Sequence, residues 1–156
     1  MIIKNLWQQA TISFEDDTDM TIFNKLKDQF ILKNLVWVHS CSAIAEEVQL
    51  RFKFALKLTN LPNDTSDREL EPIAKAVNAM TWIVPKAWSN YQNLQYAFVH
   101  FESKADLFAA INGDQIILDD RRLVWTQPDT KLCAHCAAPE HDSHSCRKKR
   151  AALQDR

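Results

Sequence analysis

Between residues 52 and 58 apolar side chains recur at every second position, Phe52, Phe54, Leu56 and Leu58, the period of a strand with one buried face. Lys53, Lys57 and Thr59 fall on the opposite face. Residues 60–63 (NLPN) predict a turn, and Ser66 with Glu69 three positions on has the spacing of a capping box. Leu70, Ile73, Ala74 and Val77 follow at helical spacing. Pro72 interrupts that pattern and predicts a kink, because it lacks an N–H and its ring crowds the preceding turn. Residues 80–88 (MTWIVPKAW) are β-branched and aromatic and predict a second strand, with Pro85 at an edge or strand end. SNYQNLQ reads as loop. Residues 96–101 alternate cleanly, Ala97, Val99 and Phe101 on one face, Tyr96, Phe98 and His100 on the other. Ser103 predicts the cap of a helix that turns Leu107, Ala110 and Ile111 inward, and Gly113 the left-handed residue that ends it. RRLVW, residues 121–125, supplies a fourth strand with Leu123 and Trp125 inward. The order is βαββαβ.

That order and those residues resemble the RNA recognition motif over residues 50–128. LKLTNL (56–61) is similar to the family's short motif on the first strand, and LQYAFVHF (94–101) to its longer motif on the third. The resemblance implies an α+β, ferredoxin-like βαββαβ sandwich whose outward aromatics stack on unpaired bases. The matching positions here are Tyr96 and Phe98, with His100 further along the strand and Lys57 where a third aromatic would stand. Leu94 and Gln95 replace the basic residue and glycine that open the longer motif. The implied picture has the Tyr96 and Phe98 rings projecting into solvent, although outward aromatics of this kind are at times covered by a helix or a partner.

The N-terminus repeats part of this pattern. Gln8, Ala10, Phe14, Glu15 and Asp19 align with Gln95, Ala97, Phe101, Glu102 and Asp106, and after a one-residue gap residues 35–37 (LVW) align with 123–125 (LVW). Residues 1–45 thus resemble the back half of a second such unit, strand, helix, strand, with Gln9 and Thr11 at its platform positions, where no base stacking is expected. Half a fold cannot close a core. The segment either marks the chain as a fragment, the favoured expectation, or packs on its neighbour. On the fragment reading Trp7, Ile12 and Trp37 are exposed and a solubility hazard.

Composition narrows the classes of function. Of the 156 residues 46% are hydrophobic and 25% charged, an ordinary globular mixture, and nineteen basic against twenty acidic residues give a net charge of −1. Any attraction for nucleic acid must therefore be local. The single glycine, Gly113, excludes Gly-rich phosphate loops. No signal peptide or membrane span is readable, which predicts an intracellular protein, nuclear or cytoplasmic, without a membrane partner. Cys41, far from the other three cysteines, reads as a buried free thiol.

Those three lie together. Cys133, Cys136, His141 and Cys146 have the spacing C-x2-C-x4-H-x4-C, in which thiolates two residues apart can bend onto one tetrahedral ion and the next loop returns an imidazole and a last sulfur. The spacing resembles the zinc knuckle. A full shell of four protein ligands predicts structural Zn2+ rather than a catalytic ion. Ala137 and Glu140 stand where that family carries glycines, and no aromatic stands where its bases stack. His135 and His144 read as exposed side chains, with a ligand role the alternative. Arg147, Lys148, Lys149 and Arg150 follow directly, either tracking phosphates, forming a solvated tail, or acting as an import signal. The knuckle and tail make up residues 129–150.

A recognition motif followed by a knuckle looks like splicing-type RNA-binding proteins and like the nucleic-acid-binding first reading frame of non-LTR retroelements. The leading expectation is a protein that binds single-stranded nucleic acid, RNA ahead of DNA, through Lys57, Tyr96, Phe98, His100 and the basic tail. The alternative is an adaptor that grips another protein. No spacing sets a nucleophile beside a base, so no enzyme is expected.

Overall fold

Strand pairing settles the domain. This computed structural model describes residues 11–15, 28–39, 45–50 and 52–147. In chain order the elements are β1 (Asp28–Ile31), β2 (Asn34–Trp37), α1 (Ala45–Leu50), β3 (Phe54–Thr59), α2 (Glu71–Ala76), β4 (Thr81–Ile83), β5 (Tyr96–Phe101), α3 (Lys104–Asn112), β6 (Ile117–Leu118), β7 (Arg121–Arg122) and β8 (Val124–Thr126). Strands β4, β5, β3 and β8 lie side by side in that order, all antiparallel. The fold is the expected ferredoxin-like α+β sandwich, β3-α2-β4-β5-α3-β8.

One face of the sheet is the core. Leu56 lies opposite Val99 and Leu58 opposite Ala97, and with Phe101, Leu61, Leu70, Ala74, Ala110 and Leu123 they are buried in a single cluster. Each fully buried large side chain contributes about 1.5–3 kcal/mol. Of the two helices that close this face, α3 starts at its predicted cap, Ser103 accepting from the Asp106 amide at 3.1 Å. The Ser66 hydroxyl and amide both donate to the Glu69 carboxylate at 2.7 Å, but this pair closes the turn before α2, which begins only at Glu71 and whose N-cap residue, Leu70, carries no side-chain cap.

Several expectations need correction. Pro72 makes no kink, because α2 begins only at Glu71 and the proline falls in its first turn, where a missing N–H costs nothing. Gly113 is extended, φ −73° and ψ −176°, so it is not a left-handed cap. Its need is space, since a Cβ there would lie 3.0 Å from the Ala109 carbonyl oxygen. Ile111 is largely exposed rather than inward, bordering a shallow cleft with Leu56 and Trp125. The fourth strand starts at Val124, because Arg121–Arg122 pair instead with Ile117–Leu118 in a small hairpin. Phe52 precedes β3 in a turn, its amide donating to the Gln49 carbonyl at 3.0 Å, which frees its ring from the strand's alternation.

The described hairpin of residues 28–37 packs on this domain. Strands β1 and β2 form a hairpin whose Leu35 joins the core cluster. The buried Asp67 carboxylate accepts from the Leu35 amide at 2.8 Å and from the Val84 amide at 2.6 Å, tying hairpin and sheet together. Burial pushes Asp67 above the usual carboxylate range, against the pull of those two amides. Phe30 stands 6.0 Å from the Trp82 ring, and the Arg68 guanidinium lies over Phe30 at 4.6 Å. Leu35 and its aligned partner Leu123 are both buried. Thr11 is in no strand. Trp37 is half-buried rather than exposed, while Ile12 is exposed as expected. Trp7, Gln9, Cys41 and the predicted N-terminal helix lie outside the described residues.

Candidate nucleic-acid interface and metal centre

On the outer face of the sheet Lys57 sits between Phe98 and Thr126. Its Nζ lies 5.3 Å from the Tyr96 ring centroid and 5.5 Å from that of Phe98, within cation–π range of both. The same ammonium donates to the Thr130 carbonyl at 2.8 Å, so the chain beyond β8 crosses this face. Burial lowers the Lys57 pKa, partly opposed by Asp129. At the other end His100 faces Trp37 and Phe52, with ring centroids at 5.7 and 4.9 Å, and those two rings stack on each other at 4.5 Å. Burial holds the His100 pKa down to about 4.

The expected pair of solvent-facing rings is therefore corrected. Lys57 and Phe98 are each 7% exposed and His100 5%. Period-2 alternation put them on the outer face, but residues distant in sequence cover that face. Tyr96 stays half-buried and open on one side. Beside it is a cleft of about 390 Å³, lined by Lys57, Asn93, Gln95 and Tyr96 on the domain side and by residues 132–135 and 137 on the other.

The three clustered cysteines and His141 converge. One sulfur or nitrogen from each of Cys133, Cys136, His141 and Cys146 lies within 4.8 Å of all the others, and the three thiols are buried. Two thiolates at ~2.3 Å from a tetrahedral zinc stand ~3.8 Å apart, and a thiolate and an imidazole nitrogen ~3.6 Å. The Cys136 and Cys146 sulfurs are 3.8 Å apart, and Cys136 Sγ is 3.3 Å from His141 Nε2, so the donor set fits one such ion. Burial pushes the Cys133 thiol up, but hydrogen bonds from the His135 and Cys136 amides and from the other thiols bring it down to about 6, favouring the thiolate that a metal needs. The Asp142 carboxylate accepts from the His144 and Ser145 amides at 3.0 and 2.9 Å, folding the last turn before Cys146. Ala137 takes the left-handed conformation, φ 54°, where the resembling family carries glycine; a side chain there costs about 1 kcal/mol. His135 and His144 are outside the cluster, and His135 lines the cleft. Arg147 is exposed; Lys148, Lys149 and Arg150 lie outside the described residues.

The sequence pattern places Trp88 in the second strand, which ends instead at Ile83, and Tyr91 in loop. They are 77% and 55% exposed on the turn between β4 and β5, which is braced by Ala87 N–H donating to the Gln92 carbonyl at 2.8 Å and Leu94 N–H to the Pro85 carbonyl at 2.8 Å. Aromatics on either side of Ser89–Asn90, a pair of turn formers, were the available signal, since rings at a turn cannot reach a core.

Residues 56–124 match the family model of the RNA recognition motif, which spans the sheet from within β3 to the start of β8. Among solved structures, Sex-lethal RNA recognition domains 1 and 2 from Drosophila melanogaster are 28% identical, with a TM-score of 0.43, covering 48% of this chain and 49% of that one. A Sex-lethal protein–RNA complex is 29% identical with a TM-score of 0.42, covering 47% and 45%. The first two RRM domains of yeast poly(U) binding protein are 20% identical with a TM-score of 0.45, covering 67% and 64%. The matched region thus spans about half the length of the Sex-lethal chains. No curated protein matches the sequence. No helix among the described residues is long and apolar enough to cross a membrane.

Proposed function

We propose that this chain binds single-stranded RNA through its recognition motif, with the Cys/His cluster holding a structural Zn2+ and no catalytic role for either. One observation carries the reading: the Tyr96 ring, at a position where the family stacks bases, remains open to a cleft with the Lys57 ammonium beside it. A flat ring next to a cation suits a base and its phosphate. With Phe98 and His100 covered, one stack is available rather than two or three, and affinity from this face is modest. The exposed Arg147 and the basic residues after it add a salt-dependent contribution. The same order of modules supports packaging or chaperoning of single strands in an intracellular setting.

Fluorescence anisotropy with a short single-stranded RNA tests the reading. Tyr96→Ala should weaken binding about 5- to 150-fold, the equivalent of ~1–3 kcal/mol for a base stack; unchanged affinity rejects it. The same oligonucleotide as DNA reports whether the sugar matters. A second reading, a protein-interaction adaptor, draws support from the burial of Lys57, Phe98 and His100. It predicts no RNA binding even at low salt.

A further inference from the structure

The cleft beside Tyr96 has walls that fold by different means. One is the start of β5 and the residues before it, supported by the apolar core. The other is the knuckle segment, residues 132–135 and 137, which includes the ligand Cys133. That segment buries little beyond its three thiols and part of Ala138, so its shape depends on whatever gathers the thiols. The rest of the outer face is closed, which leaves a strand no track across the sheet. A volume of about 390 Å³ falls at the small end of ligand pockets, enough for one nucleotide and not for a run of them.

We propose that this composite cleft is a single-nucleotide pocket, in which one unpaired RNA base enters between the Tyr96 ring and the knuckle wall carrying His135, so that RNA binding and metal binding reinforce each other. The inference rests on the RNA-binding reading above. Lys57 has three N–H donors, and its bond to Thr130 leaves donors for a phosphate oxygen. The imidazole of His135, not needed for the ion, lines the same cleft as Tyr96 and can supply a second flat surface. A ligand that touches both walls binds best when the second wall is formed, and by linkage it must tighten the metal by the same factor.

The test uses the full chain loaded with zinc and a fluorescein-labelled, mixed-sequence RNA decamer. Ala134→Trp fills the cleft from the knuckle side and should lower RNA affinity at least tenfold while native mass spectrometry still finds one zinc per chain. Should that variant lose zinc, His135→Ala carries the test instead, with a loss of threefold or more expected. Chelation should weaken RNA binding at least tenfold, and saturating RNA should tighten zinc, measured by competition with a chelator, by the same factor. If Tyr96→Ala weakens binding but the knuckle variant and chelation do not, the RNA-binding reading stands and the composite pocket is overturned. If the zinc-loaded chain binds no RNA, both fall. Chelation that tightens RNA binding also overturns the pocket, by showing the knuckle to be a cover over the sheet.

Discussion

The two faces of the sheet are both buried, by opposite means. Leu56, Leu58, Ala97, Val99 and Phe101 lie in the apolar core closed by α2 and α3, helices that follow directly on the strands they cover. On the outer face His100 meets pieces from elsewhere, Trp37 from the N-terminal hairpin and Phe52 from the turn before β3, Lys57 meets the Thr130 carbonyl from the chain beyond β8, and Phe98 is buried beside Tyr96 and Lys57. At the margin of the first face the one buried carboxylate described, Asp67, is met by the Leu35 and Val84 amides. The second keeps a lysine and a histidine whose charged forms the cover penalises. Alternation assigns a side chain to a face, and it says nothing of whether that face meets water.

The largest expected effect separates the faces by stability. Phe101 is 1% exposed at the centre of the core, and Phe101→Ala should cost ~3–5 kcal/mol in urea unfolding; a loss below about 1 kcal/mol would mean that the helix face is loosely packed. The outer face should respond to pH instead. His100 is depressed from 6.5 to about 4 in the folded chain, so between those values the unfolded chain takes up a proton that the folded chain refuses. Stability is full above pH 6.5 and falls as pH drops toward 4, by up to about 3 kcal/mol. His100→Leu should flatten that slope, and an unchanged slope would show that the ring is already wet.

Removing the cover is the next step down. Trp37→Ala should cost about 2 kcal/mol and move the His100 pKa back toward 6.5, as followed by NMR titration of its imidazole. A value still near 4 would assign the burial to Phe52 alone. The smallest effect lies in the knuckle, which forms the far wall of the cleft. Ala137→Gly relieves a left-handed φ of 54° and should tighten zinc about fivefold, the equivalent of ~1 kcal/mol. No change there would mean that the turn relaxes without the metal.

What could be read in advance follows the range of the interactions. Alternation at 54–59 and 96–101, the Ser66–Glu69 pair and the Ser103 cap are set by neighbours within a few positions, and each forms. The convergence of Cys133, Cys136, His141 and Cys146 belongs to the same class, since C-x2-C-x4-H-x4-C closes on itself within fourteen residues. The misreadings involve contacts across the chain. Phe52 left the strand's register to meet His100, 48 positions away in sequence by subtraction of their numbers. Trp37, expected to be exposed, is half-buried, because the hairpin that carries it is tied to the sheet by the Leu35 amide donating to Asp67. Pro72 and Gly113 were given backbone roles that depended on where each helix began and ended, a matter of one or two residues.

By itself the sequence determined the βαββαβ order of the motif, the alternation of residues 54–59 and 96–101, and the four side chains able to share an ion, because periodicity, caps and short loops act locally. Only the tertiary structure decided that Lys57, Phe98 and His100 are covered, that Tyr96 keeps an opening, and that His135 borders it. Those outcomes depend on where segments far apart in sequence come to rest (Lys57 and Thr130 are 73 positions apart), which tertiary packing sets and no local pattern records.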